Sequence, residues 1–523
     1  MTQVPDPLRI HAQTRGDHPA VIVDAAGGAQ ASVTTFAELD DLVNRLGHAL
    51  QSAGLGSGDR LVWCGPNSLE VLVAMHAARK VGVVAVPLSY RFNADEMQYV
   101  IDNSDAKLVL VDAEQAPTIA EIRDRIPKVG TVLVYGASAA CPVPAGCRSW
   151  ADELAAQPDT EPVAHRESAI GAQMFYTSGT TGAPKGALRT KSDTMLLMAL
   201  LAELGLQPMH EVHLTTGPLY HSGPNGFAYM NQALGCPVVV LRRFDARDWL
   251  RLVREHRVTN TFSAPTQLKR IVGLPDEELA AADLSSMRCL IANAAPVPYA
   301  LKQEVVAKLG DGFLYEVYGS TELGIVTVLN PADQLRKPGS CGRPYGGIGV
   351  RIVADDGREA ETGAPGELFI HTGMAMDGYH RTDERLSELD GAAWQSVGDV
   401  AYVDDEGYVH ICDRKKDVII SGGVNIYPAE IEAAIHHHPQ VLDCAVFGIP
   451  DDEWGESVYA IVQPKPGETL DLDELRTFVE ARVAHYMRPR QYEVRDMLPR
   501  TDAGKLLKRV LRDEFWAGRA SKI

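Results

Sequence analysis

Residues 176–186 read Tyr-Thr-Ser-Gly-Thr-Thr-Gly-Ala-Pro-Lys-Gly and begin at the end of the apolar segment SAIGAQMFY. Glycines let a backbone approach a ligand closely, hydroxyl groups donate hydrogen bonds, and Lys185 supplies a positive charge. The stretch therefore predicts a loop that wraps an anion such as a polyphosphate. Lys185 is followed by Gly186 rather than by Ser or Thr, so this is not a Walker-type loop.

The sequence on both sides of this stretch alternates between helical and strand-like segments. Residues 34–55 carry apolar side chains at helical spacing behind a Thr and Glu capping pattern. Short apolar runs at 59–65, 81–88 and 106–112 are typical of buried strands. The same alternation recurs from about residue 190 to 300, so we expect two α/β sheet subdomains.

The pattern changes after residue 340. Short strands separated by the turn signals D-D-G and D-E-G predict a β-rich subdomain up to about residue 412. A compact block of strands and helices follows the charged run 413–417. We therefore predict a large N-terminal domain, 1–414, and a small, mobile α+β C-terminal domain, 415–523.

Composition excludes several classes of protein. The 523 residues carry a net charge of −19, which disfavours the broad basic surface needed to bind nucleic acid. No apolar run is long enough to predict a transmembrane segment. The eight cysteines are scattered without a C-x-x-C pair, so neither a disulfide framework nor a zinc site is expected.

Residues 318–322 read Tyr-Gly-Ser-Thr-Glu, and together with 176–186 they resemble motifs of the adenylate-forming superfamily of acyl-CoA ligases, nonribosomal adenylation domains and luciferases. The resemblance implies that the stretch 176–186 binds the phosphates of a nucleotide. It also implies that the Tyr318 ring packs on adenine, Thr321 contacts the AMP phosphate and Glu322 holds Mg²⁺. The implied nucleotide-binding residues of the two motifs are Thr177, Ser178, Gly179, Thr180, Thr181, Gly182, Lys185, Tyr318, Gly319, Ser320 and Thr321.

Further motifs follow in the family's order and cover most of residues 174–508. Asn293-Ala294-Ala295-Pro296 resembles the segment whose backbone borders adenine. Ser396-Val-Gly-Asp399 and Asp413-Arg414 resemble the T-G-D and G-R motifs, although Val and Asp replace the usual Thr and Gly. The resemblance implies that Asp399 accepts the ribose hydroxyls and that Arg414 donates near the sugar and phosphate.

Three C-terminal positions complete the resemblance. Lys416 corresponds to the family's hinge, about which the small domain rotates between adenylation and thiol transfer. Gly422 and Gly423 correspond to a segment beside the tunnel for the thiol-bearing arm. Leu498-Pro-Arg-Thr-Asp-Ala-Gly-Lys505 resembles L-P-R-T-x-x-G-K, which implies that Lys505 is catalytic in the first half-reaction.

The acid substrate is less well defined by the sequence. By resemblance, the acyl pocket is lined around Tyr220–Pro224, and His221 either gates it or is a hydrogen-bonded core residue. No Asp stands near His221 to hold a substrate amino group, so a fatty, aryl or alicyclic acid is favoured. The tract 436–438 is three histidines, but consecutive helical residues point in different directions, so we interpret them as cations at a helix C-terminus rather than as a metal site.

The predicted activity is that of an ATP-dependent carboxylic acid:CoA ligase that works through acyl-AMP. Lys505, Lys185, Glu322 and His221 are the candidate catalytic residues, Glu322 is the candidate metal ligand, and ATP, Mg²⁺ and coenzyme A are the expected cofactors and co-substrates. Three alternatives stay open: a ligase that loads a separate carrier protein, a luciferase-like oxygenase, and a non-catalytic ATP-binding protein.

The N-terminus lacks the layout of a secretory signal, so a cytoplasmic location is expected. The final Ser-Lys-Ile differs by one residue from a peroxisomal address, which leaves that organelle as an alternative. The expected partners are the acid, ATP and coenzyme A, with no nucleic acid. A homodimer is left open, because no motif decides the oligomeric state.

Overall fold

The computed structural model describes residues 6–24, 31–165, 171–177, 184–391, 393–500 and 506–517. Within these ranges the strands form four sheets, and the helices pack against them. Residues 419–516 contribute to one small sheet with its own helices, whereas the other three sheets are built from residues before 415. The predicted mixed α/β fold, with a large N-terminal and a small C-terminal domain, is confirmed.

The first part of the chain alternates strongly between strands and helices. Its elements, in chain order, are α1 (Pro7–Arg15), β1 (Pro19–Val23), β2 (Ser32–Thr35), α2 (Phe36–Ser52), β3 (Arg60–Cys64), α3 (Leu69–Val81), β4 (Val84–Leu88), α4 (Ala94–Asn103), β5 (Ala106–Asp112), α5 (Ala116–Glu121), β6 (Thr131–Tyr135), β7 (Arg148–Ser149), α6 (Trp150–Ala155), β8 (Gln173–Thr177) and β9 (Lys185–Arg189).

The second part continues this alternation. Its elements are α7 (Thr194–Glu203), β10 (His213–Thr215), α8 (Ser222–Ala233), β11 (Val238–Val240), α9 (Ala246–His256), β12 (Asn260–Ser263), α10 (Pro265–Val272), α11 (Asp276–Ala280), β13 (Cys289–Ala292), α12 (Tyr299–Leu309), β14 (Leu314–Ser320), β15 (Gly324–Leu329) and β16 (Arg343–Pro344).

The described residues of the third part form strands and no helix, and the fourth part forms the small domain. The strands of the third part are β17 (Gly349–Val353), β18 (Gly366–His371), β19 (Gly378–Tyr379), β20 (Ser387–Leu389), β21 (Trp394–Ser396), β22 (Asp399–Val403) and β23 (Val409–Arg414). The elements of the fourth are β24 (Ile419–Ser421), β25 (Val424–Ile426), α13 (Pro428–His436), β26 (Val441–Asp451), β27 (Gly455–Pro464), α14 (Leu472–Glu480), β28 (Gln491–Val494) and α15 (Lys508–Trp516).

The first of the two large sheets has a parallel centre and antiparallel strands at both edges, whereas the second is parallel from β8 to β7 and antiparallel at the end formed by β9 and β19. The first has the strand order β16-β15-β14-β13-β12-β10-β11-β1-β2, and the second has the order β19-β9-β8-β4-β3-β5-β6-β7. Helices cover the faces of such sheets, so their central strands are apolar on both sides, as in β4, where all five residues are buried. Ligands of such sheets bind beyond the carboxyl ends of the parallel strands, so a site is expected there.

The third sheet, β20-β21-β18-β22-β23 with β17 beside β18, is antiparallel throughout. It ends at Arg414, and the small domain's sheet begins at Ile419. The small sheet has the order β25-β24-β27-β26, with β28 beside β27. The position of the domain boundary between residues 414 and 415 stays a prediction.

Helix ends follow local sequence rules where a strong capping signal exists. Thr35 and Glu38 form the predicted capping box of α2, and Pro428 stands in the first turn of α13. The helix α14 ends at Glu480. The guanidinium of Arg488 donates to the carbonyl oxygen of Glu480, which satisfies one of the free carbonyls of that last turn.

The described residues contain no helix that combines the length and the apolar character needed to cross a bilayer. All eight cysteines lie in the described ranges and are free thiols, as the sequence predicted.

A buried charge cluster around Lys80 of α3 links α1, α2 and α3 within the large domain. Lys80 is fully buried, and its ammonium lies 2.6 Å from Asp40 Oδ1, 3.0 Å from Glu161 Oε2 and 3.6 Å from Asp6 Oδ2. Burial raises the pKa of Asp40, although Lys80 opposes that rise. Buried carboxylates of this kind depend on the cation between them.

We predict that Lys80→Met lowers the free energy of unfolding of the large domain by about 3–5 kcal/mol, because it leaves buried carboxylates without their cation. The control is Lys107→Met, which removes an exposed ion pair with Asp59 and should cost about 1 kcal/mol or less. Chemical denaturation followed by tryptophan fluorescence compares the two. Equal losses would show that the cluster does not stabilise the domain.

Candidate functional site

A deep cleft of about 2570 Å³ opens where the two large sheets, the third sheet and the small domain meet. Its walls include residues from the carboxyl ends of β13 and β14, from the β22–β23 hairpin and from the small domain's α13. Most of the described sequence-predicted residues line this single cavity. The exceptions are Gly422 and Gly423, which are not among the described residues that line it.

Tyr318, Asp399 and Arg414 form the polar centre of the cleft. Asp399 and Arg414 are cross-strand partners on β22 and β23, so their side chains lie side by side, with Arg414 Nε 2.9 Å from Asp399 Oδ1. Tyr318, at the end of β14, donates from its hydroxyl to Asp399 Oδ2 at 2.5 Å. Burial and the neighbouring carboxylate raise the pKa of Tyr318 well above its usual range.

The free capacity of Asp399 suits a pair of hydroxyl groups. A carboxylate accepts about four hydrogen bonds, and Tyr318 and Arg414 account for two. Burial works to lower the pKa of Arg414, but Asp399 raises it above its usual value, so the guanidinium stays charged beside the carboxylate. An accepting carboxylate beside a donating guanidinium therefore fits a ribose next to a phosphate.

The backbone at the end of β14 is irregular where the predicted Tyr-Gly-Ser-Thr-Glu motif lies. The register between β14 and β15 shifts between Tyr318 and Gly319, as in a β-bulge, which is common beside active sites. A Cβ atom on Gly319 would lie 2.2 Å from the carbonyl oxygen of Gly324. The motif therefore needs glycine at position 319 for close packing of its two strands.

Tyr379 contacts both Glu322 and Lys185. The Tyr379 hydroxyl donates to Glu322 Oε1 at 3.0 Å, and Lys185 Nζ lies 5.7 Å from the centre of the Tyr379 ring. Lys185 also pairs with the carboxylate of Glu384. Burial, followed by the charge of Glu322, raises the pKa of Tyr379.

Neither Tyr379 nor Glu384 was predicted from the sequence. Tyr379 reaches the site because β19 pairs with β9, opposite Ala187, nearly two hundred residues earlier in the chain. A long-range pairing of this kind leaves no local signal in the sequence.

A metal ion at this place would depend on substrate oxygens. Within the described ranges no three His, Cys, Asp or Glu residues form a cluster able to hold a metal ion. Mg²⁺ is commonly held by one or two carboxylates together with substrate phosphates and water. Glu322, which lines the cleft, could supply one such carboxylate.

Thr177 and Lys185 are paired across the antiparallel strands β8 and β9, and both line the cleft. They bracket the predicted phosphate-binding stretch. Ser178, Gly179, Thr180, Thr181 and Gly182 lie outside the described residues, as does Lys505.

Thr321 is held from two sides. Arg189 donates to its carbonyl oxygen at 2.8 Å, and its hydroxyl lies 3.1 Å from that of Ser222, the first residue of α8. His221 directly precedes that helix, lines the cleft, and its ring centre lies 4.6 Å from that of Tyr220. Arg189 was missed because a single Arg in a strand carries no recognisable pattern.

The turn after β13 borders the same cleft. Asn293, Ala294, Ala295 and Pro296 all line it, and the Asn293 side chain donates to the carbonyl oxygen of Val317. Ala294 has a φ of 77°, a conformation that costs free energy for a residue with a Cβ atom. This backbone strain, together with the anchoring of Asn293, fixes a wall beside Tyr318.

The small domain contributes residues on either side of the predicted catalytic segment. Arg500, Leu506 and Leu507 line the cleft, and so does Lys416. Gly422 and Gly423 have φ values of 57° and 80° and form the turn between β24 and β25. A Cβ atom on Gly422 would lie 2.6 Å from the Trp454 ring, so the turn packs tightly against that side chain.

The interpretation of the histidine tract as cations is wrong for His436. Burial, followed by the charges of Lys269 and Arg500, lowers the pKa of His436 to about 4. The side chain is therefore neutral near pH 7, even though it ends α13 and lies 3.5 Å from Asp443. The sequence could not reveal these neighbours, because Lys269 belongs to the large domain.

One wall of the cleft is apolar. The helices α7 and α8 supply side chains at successive turns of one face of each helix. These lining residues are Leu197, Leu200, Leu201, Phe227 and Met230, and Leu234, directly after α8, lines the same wall.

Comparison with known families decides the identity of this cleft. A sequence model of the AMP-binding enzyme family matches residues 8–380, and a model of the AMP-binding enzyme C-terminal domain matches residues 430–505. The chain belongs to the AMP-binding enzyme family. The predicted resemblance to the adenylate-forming superfamily is confirmed.

Curated relatives of this AMP-binding enzyme are similar over nearly the whole chain. A feruloyl-CoA synthase from Amycolatopsis is 36% identical and covers 92% of this chain and 94% of its own. A fatty acid–[acyl-carrier-protein] ligase from Streptomyces coeruleorubidus is 33% identical and covers 98% and 96%. The chain is an AMP-forming acid–thiol ligase, as predicted.

A solved structure agrees with this placement. The ATP-bound MatB of Rhodopseudomonas palustris is 28% identical, with a TM-score of 0.84 and coverage of 98% of both chains. Ligases of the AMP-binding family use ATP and Mg²⁺, and its CoA ligases take coenzyme A as the thiol. The cofactor prediction is therefore consistent with the family.

We expect Mg·ATP to raise the melting temperature of this AMP-binding enzyme, and we predict that Gly319→Ala abolishes that increase, because the added methyl group forces β14 and β15 apart beside Tyr318. Differential scanning fluorimetry with and without Mg·ATP measures the effect. Gly56→Ala is the control, since its Cβ atom would meet only Asp59, at 4.0 Å. An unchanged nucleotide response in Gly319→Ala would contradict the proposed role of this turn.

Proposed function

We propose that this enzyme joins an apolar carboxylic acid to coenzyme A in two steps. The acid carboxylate first attacks the α-phosphorus of ATP, which forms acyl-AMP and releases pyrophosphate. The thiol sulfur then attacks the acyl carbon, forms the thioester and releases AMP. The acid is of the fatty, aryl or alicyclic class.

The observation that carries this proposal is the placement of Tyr318, Asp399 and Arg414 around one pocket, with Glu322 and Lys185 a short distance further along the cleft. A stacking ring, a hydroxyl-binding carboxylate and a guanidinium suit an adenosine with its α-phosphate. A carboxylate for Mg²⁺ and an ammonium group suit the β- and γ-phosphates.

In this assignment each residue has one task. The Tyr318 ring packs on adenine against Asn293–Pro296, and Asp399 accepts the ribose hydroxyls. Thr177, Thr321 and Lys185 bind phosphate oxygens together with the stretch 178–182. Mg²⁺, when bound through Glu322, neutralises charge on the phosphates. The ion pair of Lys185 with Glu384 keeps the ammonium group at the cleft before nucleotide enters.

Lys505 is assigned to the first step. Negative charge accumulates on the α-phosphate as the carboxylate attacks, and an ammonium group at about 4 Å with an effective dielectric near 20 stabilises it by about 4 kcal/mol. This corresponds to roughly a thousandfold in rate. Rotation of the small domain about Lys416 would then withdraw this segment and bring Gly422 and Gly423 towards the cleft for thiol transfer.

The apolar wall supports the acid class. Five apolar side chains of α7 and α8, together with Leu234 directly after α8, line the cleft that His221 and Ser222 also border. Burying an alkyl or aryl body against them is favourable by roughly 25 cal/mol per Å². The first turn of α8 contains no acidic residue that could pair with a substrate amino group.

A carrier protein is a second candidate for the thiol that accepts the acyl group. The similarity to a feruloyl-CoA synthase supports coenzyme A. The similarity to a fatty acid–[acyl-carrier-protein] ligase over 98% of the chain supports a phosphopantetheine arm on a separate carrier protein. Both acceptors present the same thiol-bearing arm, so one experiment with two acceptors separates them.

We expect AMP and thioester to form when Mg·ATP is supplied with one class of apolar acids and coenzyme A. Mass spectrometry of the products across fatty, aryl, alicyclic and amino acids measures this, with the corresponding primary amides as controls that lack the attacking carboxylate. Thioester on a carrier protein alone would replace coenzyme A as the acceptor. Nucleotide binding without turnover of any acid would contradict the proposal.

Lys505→Ala should slow acyl-AMP formation about a hundredfold or more and largely spare thiol transfer from supplied acyl-AMP, because its charge is needed only in the first step. Single-turnover rates of the two half-reactions measure the split. Lys107→Met, at an exposed residue that does not line the cleft, should leave both rates unchanged. Equal loss of both half-reactions in Lys505→Ala would exclude this division of roles.

A further inference from the structure

Asp413 stands at the junction of the two domains. It belongs to β23, opposite Val400, so its backbone is part of the third sheet of the large domain. Its side chain, however, points to the small domain: Oδ2 accepts a hydrogen bond from the backbone N–H of Ala429, in the first turn of α13, at 3.1 Å. The same oxygen lies 4.0 Å from Lys508 Nζ, and only 8% of the side chain is exposed.

Lys508 is the first residue of α15, an unfavourable place for a cation because the helix N-terminus carries partial positive charge. The carboxylates of Asp413 and Glu432 offset this unfavourable interaction of the Lys508 charge with the helix N-terminus. Lys508 Nζ lies 2.8 Å from Glu432 Oε1 on α13, and Glu432 Oε1 also accepts from the backbone N–H of Val446 at 2.7 Å. We call Asp413, Glu432 and Lys508 the junction cluster, and all three line the cleft.

The charges of the junction cluster depend on one another. Burial raises the pKa of both Asp413 and Glu432, and Lys508 opposes that rise. Burial works to lower the pKa of Lys508, but Glu432 and then Asp413 raise it above its usual value. Separating Asp413 from Lys508 would therefore remove a charge–charge attraction that is little screened by solvent.

The same helix holds the other end of the connecting segment. Arg512 lies one turn after Lys508 on α15, its Nη1 is 3.1 Å from Asp417 Oδ1, and it donates to the carbonyl oxygen of Lys416 at 3.3 Å. Residues four apart lie on one face of a helix. One face of α15 therefore contacts the segment 413–417 at both ends, through Lys508 at Asp413 and through Arg512 at Asp417.

These contacts differ in what a rotation about Lys416 would do to them. The Lys508–Glu432 and Arg512–Asp417 pairs lie on the C-terminal side of that residue and would move together. The contacts of Asp413 with Ala429 and Lys508 cross it and would break. In the present arrangement Arg500, Leu506 and Leu507 face the cleft, while Gly422 and Gly423 are not among the described residues lining it.

We infer that Asp413, acting through Lys508 and α13, is a positioning residue that holds the small domain in the arrangement for acid activation. This inference rests on the proposed two-step function. Asp413 need not touch any substrate for this role. Its carboxylate biases the equilibrium between two orientations, because it makes its contacts in only one of them.

The test compares two half-reactions in Asp413→Asn, using the acid that the wild-type enzyme accepts. We expect acid-dependent ATP–pyrophosphate exchange to fall about tenfold, a typical size for coupling of this kind, while thiol transfer from supplied acyl-AMP is unchanged or faster. The KM for ATP should change little. Asp413→Glu, which keeps the charge, should recover most of the exchange rate.

Glu514→Gln is the matched control. It removes an ion pair between the same helix α15 and Arg495, at 2.8 Å, that lies wholly within the small domain. Both half-reactions should stay at the wild-type rate, and melting curves verify that each variant folds. Wild-type exchange rates in Asp413→Asn, or equal losses in both half-reactions, would overturn the role of Asp413 and leave the proposed two-step function intact. Absence of acid-dependent exchange in the wild-type enzyme would instead contradict the proposed function.

Discussion

The contact between Tyr318 and Asp399 joins two sheets of different construction, and the cleft depends on it. Tyr318 lies near the carboxyl end of β14, which pairs in parallel with β13, and Asp399 begins the antiparallel hairpin of β22 and β23. Asp399 is 5% exposed and is held by Arg414 from the neighbouring strand. Because both partners of this carboxylate are fixed, its remaining lone pairs point into the cavity at a defined place.

The rest of the site is arranged around this point. The turn at Asn293 is tied to Val317 beside Tyr318, and Glu322 reaches Lys185 through Tyr379. Each of these links connects elements that are far apart in sequence. A site assembled in this way is preorganised for a nucleotide, since few side chains must reorient when it binds.

Local sequence patterns predicted much of the fold. The capping box at Thr35 and Glu38 places the start of α2 through contacts between residues three apart. The site residues on short motifs, such as Tyr318 and Asp399, were predicted because the whole motif is contiguous.

Residues whose role depends on distant contacts were not predicted. Glu384 pairs with Lys185 across 199 positions, and the neutral state of His436 depends on Lys269 of the other domain. The carbonyl oxygen of Glu480, the last residue of α14, is satisfied by the side chain of Arg488, eight residues further along the chain. Asp413 appeared in the sequence only as a departure from the usual glycine, and its contacts with Ala429 and Lys508 emerge only when the two domains are seen together.

The most direct test of the central claim is ATP–pyrophosphate exchange measured with acid but without any thiol. Formation of acyl-AMP as a separate first step predicts exchange that requires an apolar acid and Mg²⁺ and proceeds in the complete absence of coenzyme A. Exchange that appears only when the thiol is added, or that is absent for every acid, would contradict activation of the acid as its adenylate in this cleft.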